Sequence, residues 1–127
     1  VIEFADPFDT LLQIFIEKHP KINVRIQFGT PDEEPLSISG GLGCTSFPGP
    51  EDEKGSPAII TVDGTLDRGV QGTVDILAHE LAHVAVGPDH EHDDVWEAEY
   101  AGFYEAFSER GVSIRSINPG AESVEDV

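Results

Sequence analysis

A chain of 127 residues with a net charge of −18, from 25 Asp and Glu against 7 Lys and Arg, has room for one domain built on a single core. Such a charge repels phosphate backbones and argues against direct nucleic-acid binding, and no apolar run approaches membrane-spanning length. The lone cysteine, Cys44, excludes an internal disulfide and makes a reducing, cytoplasmic setting the expectation, while a start at Val1 with no methionine reads as part of a longer protein.

Asp6 and Pro7 open the first predicted helix. Phe8, Leu11, Leu12 and Phe15 form its apolar stripe, Lys18 and His19 suit its C-terminal end, and Pro20 breaks it. His19 therefore reads as a helix-end residue and not as a ligand. From 22 to 28, Ile22, Val24, Ile26 and Phe28 alternate with Asn23, Arg25 and Gln27, the pattern of a strand with one buried face. A turn over 29–35 leads into a Gly- and Ser-rich stretch, 36–47, which is a weak strand. Cys44 lies within it and reads as a small, half-buried strand residue, not as a thiolate capping a metal. After a loop over 48–57, Ala58 to Val62 is a β-branched strand.

The next helix is expected over 73–86. Thr73 can cap it, Asp75 suits its positive end, Val74, Leu77, Leu81 and Val84 form the core-facing stripe, and Gly87-Pro88 ends it. Off that stripe stand His79, Glu80 and His83, in the pattern H-E-x-x-H. Residues four apart share a helix face, so the two imidazoles can bind one Zn²⁺ while Glu80 beside them takes a proton from a water the metal activates. Metal-assisted hydrolysis is the chemistry this implies. A chance match on a bland core helix would leave two imidazoles and a carboxylate to be buried without partners, which is costly.

Catalytic zinc normally keeps three protein ligands and an open fourth position. After the Gly87-Pro88 turn come Asp89, His90, Glu91, His92, Asp93 and Asp94, so both His90 and His92 are candidates for the third place. A metzincin pattern would need Gly at 86 and the ligand at 89, where this chain has Val86 and Asp89. A gluzincin-type site would instead draw Glu97 or Glu99 from the following helix, although Asp94 and Glu97 also have the spacing of an N-cap and its reciprocal partner. That last helix is expected over 95–110, since Trp96, Tyr100, Phe103 and Phe107 repeat on one face and Arg110-Gly111 closes it. Beyond it the sequence offers one short extended segment and then, over about 116–127, an acidic tail with little to bury.

The run His92-Asp93-Asp94-Val95-Trp96, a short loop after H-E-x-x-H, resembles the H-G-x-x-W segment of SprT-like zinc metalloprotease domains, with Asp93 in the place of glycine. Upstream, GGLGCTSF at 40–47 and AIITVDGTL at 58–66 are similar to the strand pair that precedes the metal helix in that family. The resemblance spans positions 8–111 and is specific between 77 and 96. It implies an α+β, zincin-like domain with an N-terminal helix, a small twisted sheet, a metal-binding helix and a closing helix. It also implies zinc held by His79, His83 and His92, with Glu80 as general base and a protein or peptide as substrate. His90 is then the runner-up ligand, otherwise a supporting or solvent-facing histidine. In such sites the strand before the metal helix borders the cleft, so 58–62 is the expected docking strand for an extended substrate. His90, Tyr100 and Tyr104 are candidate oxyanion donors. A different function, a zinc-stabilised scaffold, would close the fourth position with protein, for instance with both His90 and His92.

Overall fold

The computed structural model describes residues 1–117 and shows a mixed α+β chain of four helices and two small sheets. The acidic tail expected from 116 falls at 118–127 outside the described residues. Its first two positions, Ser116 and Ile117, belong instead to a strand.

Strand β1 (Ile2–Asp6) pairs antiparallel with the last strand, β5 (Ser113–Ile117), in the register Ile2↔Ile117, Phe4↔Arg115 and Asp6↔Ser113. The extended segment expected after the closing helix is β5; its partner β1 had no signal of its own, because five residues show alternation too briefly to be read. Helix α1 (Pro7–Lys18) starts as expected: Asp6 Oδ1 accepts from the Asp9 N–H at 3.0 Å and Pro7 occupies the first turn. It buries Leu11, Ile14 and Phe15, with Phe8 and Leu12 at the edge of the core, and His19 caps its end through the bond from its N–H to the Phe15 carbonyl.

The central sheet has the order β2-β4-β3. Strand β2 (Val24–Gly29) runs parallel to β4 (Ala58–Asp63), and β3 (Gly43–Ser46) runs antiparallel to it. Strand β2 begins two residues later than the alternation from Ile22 suggests. The weak strand expected over 36–47 divides into one helical turn, α2 (Leu36–Ser39), and β3. Gly40 ends that turn with a φ of 99°, which only glycine adopts at no cost, and Leu36 is pinned beneath it, fully buried. Strand β4 is buried along almost its whole length, with Ala58, Ile60 and Val62 in the core, and is flanked on both sides, as a central strand should be.

Helix α3 (Gly69–Val86) begins four residues before the expected start, and Thr73 is no cap: its hydroxyl donates to the Gly69 carbonyl at 2.8 Å inside the helix. The start is hidden in the sequence because Arg68 at the N-cap makes no side-chain cap and two glycines, 69 and 72, occupy the first turn. The stripe is as read: Val74, Leu77, Leu81 and Val84 are buried, and Gly87 ends the helix at a φ of 93°. Helix α4 (Asp94–Arg110) starts one residue earlier than expected, and its cap is Asp93, not Asp94: Asp93 Oδ1 accepts from the Trp96 N–H at 3.0 Å. Trp96 and Phe103 are buried, while Tyr100 and Phe107 pack at the margin of the same core, so α3 packs on β3 and β4, and α1 and α4 pack against α3 and each other. No helix among the described residues is long and apolar enough to cross a membrane.

Candidate metal centre

The core stripe of α3 points Leu77 and Leu81 inward, and this turns His79 and His83, one turn apart, toward a cleft of about 820 Å³ between α3 and β3. The loop after Gly87 folds back and delivers His92 to them. His92 Nε2 lies 3.0 Å from His79 Nε2 and 3.2 Å from His83 Nε2. These three side chains are the one group of His, Cys, Asp or Glu donors among the described residues close enough to share an ion.

The donor set fits zinc. Two imidazole nitrogens on a tetrahedral zinc are about 3.4 Å apart, given Zn–N bonds of about 2.0–2.1 Å. The two separations from His92 are slightly shorter than that, and all three donor atoms lie within 4.8 Å of one another. Burial lowers the pKa of His79, as does the neighbouring His92, and burial is likewise the leading cause of the lowered pKa of His83. Both effects favour the neutral imidazole, the form that binds metal.

Glu80 is not part of this cluster. Only 7 % of its surface is exposed, and its Oε1 accepts from the Thr45 hydroxyl on β3 at 2.7 Å. Burial raises its pKa above the usual carboxylate value, against the Thr45 hydrogen bond and the nearby His83 and His92. Room for the carboxylate comes from Gly43: a Cβ there would sit 2.8 Å from Ile76 Cγ2 and 3.1 Å from Glu80 Oε2. Gly43 and Thr45 carry no motif of their own in the sequence, and the small-residue character of 40–47 is the one signal that points to them.

The other candidates are placed elsewhere. His90 lines the cleft, but its Nδ1 is bound to Asp93 Oδ2 at 2.8 Å and it does not join the three histidines. Asp93, whose pKa is lowered by the Trp96 backbone N–H and then by His90, thus holds both the helix start and the runner-up histidine. Glu97 is exposed and Glu99 is paired with His19 Nε2 at 2.7 Å, so neither glutamate of the gluzincin-type alternative reaches the cluster. His19 is the helix-end residue it was read to be. Cys44 is half-buried between the two cleft-facing residues of β3, and alternation turns it to the other face. Of the candidate oxyanion donors, the Tyr100 hydroxyl is committed to Asp75 and its pKa is raised by burial and by that carboxylate, while Tyr104 lies off the cleft; His90 remains on its wall.

The strand bordering the cleft is not β4, as expected from 58–62, but β3. Strand β4 sits between β2 and β3 with both main-chain edges in use, so no substrate can pair with it. Among the described residues strand β3 has one edge without a strand partner, and its residues line the cleft, where Leu42, Phe47 and Ile76 add apolar surface.

Compared with protein-family models, with curated proteins and with solved structures, the chain shows no match. Its reading therefore rests on the residues and their geometry.

Proposed function

We propose that this chain is a zinc-dependent metallopeptidase of zincin-like, SprT-like type, with His79, His83 and His92 as ligands and Glu80 as general base. The observation that carries the proposal is a division of labour on one turn of α3: two imidazoles turn to meet His92, while the carboxylate between them in sequence is buried in the same cleft and held by Thr45 without joining the cluster. A structural zinc would be saturated by protein, and no fourth donor joins the three histidines among the described residues.

Zinc bound by these imidazoles would supply Lewis-acid activation of water and of the scissile carbonyl. The chain's own groups do the rest. Glu80 accepts the proton of the attacking water on a carboxylate oxygen and returns it to the leaving amine; its raised pKa makes it a better acceptor than an ordinary glutamate. Thr45 anchors one oxygen and so limits the rotation of the carboxylate. The free edge of β3 can hold an extended peptide by main-chain pairing, and Leu42, Phe47 and Ile76 can receive an apolar side chain. Protein or peptide is the substrate class that suits such an edge, and the net charge of −18 disfavours nucleic acid as a partner.

The test is Glu80→Gln, which keeps shape but removes the base. Cleavage of an unfolded protein by the zinc-loaded chain is expected to fall by at least roughly 10²-fold, with zinc content and fold unchanged, and to stop in wild type on chelation. Equal cleavage by wild type and Glu80→Gln would overturn this mechanism.

A further inference from the structure

We propose that Trp96 is a positioning residue for the metal centre, its indole setting the orientation of all three ligand imidazoles. This role rests on the metal-site reading above. Metal-binding histidines are usually aimed by a hydrogen bond from the ring nitrogen that does not ligate. Here the Nδ1 atoms of His79, His83 and His92 make no hydrogen bond to protein among the described residues, since the observed bonds of these rings all involve Nε2. Something else must hold three rings whose nitrogens converge.

The indole is that element. Its ring centroid lies 4.7 Å from His79 at an interplanar angle of 62°, 4.7 Å from His92 at 66°, and 5.4 Å from His83 at 29°. Two edge-to-face contacts and one stacked contact fall within the range at which aromatic rings attract and prefer defined angles. One side chain thus touches every ligand, and it bridges the two that come from the helix and the one that comes from the loop.

The indole is itself fixed from several sides. It is only 7 % exposed, its Nε1–H donates to the His79 carbonyl at 3.3 Å, and its backbone N–H is held by Asp93. Tyr100 stacks on it at 5.2 Å and 7°, and the Tyr100 hydroxyl is bonded to Asp75 back on α3. A flat platform anchored to both helices can transmit their spacing to the rings that rest on it. Plain core packing would explain burial but not contact with each ligand.

Metal binding by the full chain separates the two roles. Zinc affinity by chelator competition and the visible absorption of the Co²⁺ form are measured for wild type, Trp96→Phe, Trp96→Leu and Phe103→Leu. Phe103 is fully buried on the same helix, packs against Phe15 and His19 and not against His79, His83 or His92, and serves as the packing control. Trp96→Leu is expected to weaken zinc binding by roughly 10- to 100-fold and to change the Co²⁺ spectrum, with Trp96→Phe restoring most of the affinity. Phe103→Leu is expected to lower thermal stability and leave affinity and spectrum as in wild type. Because Trp96 is the only tryptophan in the chain, its emission in wild type should also change on zinc addition and saturate at one equivalent; this readout stands even if Trp96→Leu does not fold. Wild-type affinity in Trp96→Leu, a loss no larger than that of Phe103→Leu, or emission blind to bound zinc would each overturn the role while leaving the metal centre intact. Failure of wild type to bind zinc would remove both.

Discussion

Two places in this molecule bring histidine against a partner from a distant element, and they do so in opposite ways. At the seam of α1 and α4, His19 meets a carboxylate, Glu99, at 2.7 Å, flanked by Phe15 and Phe103. At the cleft, His79, His83 and His92 meet one another, while the neighbouring carboxylate of Glu80 is bonded to Thr45. An imidazole facing a carboxylate is already satisfied and works as a clamp. Three imidazoles facing each other, with no carboxylate among them, are a donor set of the kind that could hold a metal ion, which is the reading proposed above.

The contrast is broken most decisively by deleting ligands. His79→Ala or His83→Ala is expected to reduce zinc from one per chain to nearly none, whereas His19→Ala should leave it at one; metal analysis of the purified variants measures this. Full zinc in either cleft variant would make the H-E-x-x-H pattern a coincidence. Next in size is the choice within the loop. His92→Ala should cost much more zinc affinity than His90→Ala, for which a loss of about tenfold or less is expected of a residue that only supports the site. The reverse order, read by chelator competition, would move the third ligand to His90.

A smaller effect concerns the bed of the base. Gly43→Ala places a methyl group against Ile76 and Glu80 and is expected to destabilise the fold by about 1–3 kcal/mol, as overpacking does, and to slow peptide cleavage with zinc retained. A thermal midpoint and cleavage rate equal to wild type would show that β3 yields there. Smallest of all, Glu99→Gln should cost at most about 1 kcal/mol, because the pair is partly open to solvent, with no change in zinc content. Loss of zinc in that variant would erase the distinction between clamp and centre.

What the amino-acid sequence determined alone is what short-range periodicity and capping can carry. The stripes of α1, α3 and α4, the strand at 58–62, the stop at Gly87-Pro88 and the pairing of His79 with His83 all depend on residues within a turn or two of each other. For a third candidate ligand the sequence leaves open His90 and His92 in the loop and Glu97 and Glu99 in the next helix, and the resemblance points to His92; its convergence with the helix pair is a tertiary fact, since loop residues two apart differ in direction by the path of the chain and not by any fixed period. The same limit hid the Asp93 cap beside an equally plausible Asp94, and the early start of α3, which lacks the usual signals and is held by packing. The pairing of β1 with β5 joins the two ends of the described chain, and the edge position of β3 follows from strand order, which local pattern does not encode. Gly43, Thr45 and Trp96 are ordinary strand and helix residues by pattern; only when α3 lies between β3 and α4 do they become the bed of Glu80, its anchor and the platform under the histidines.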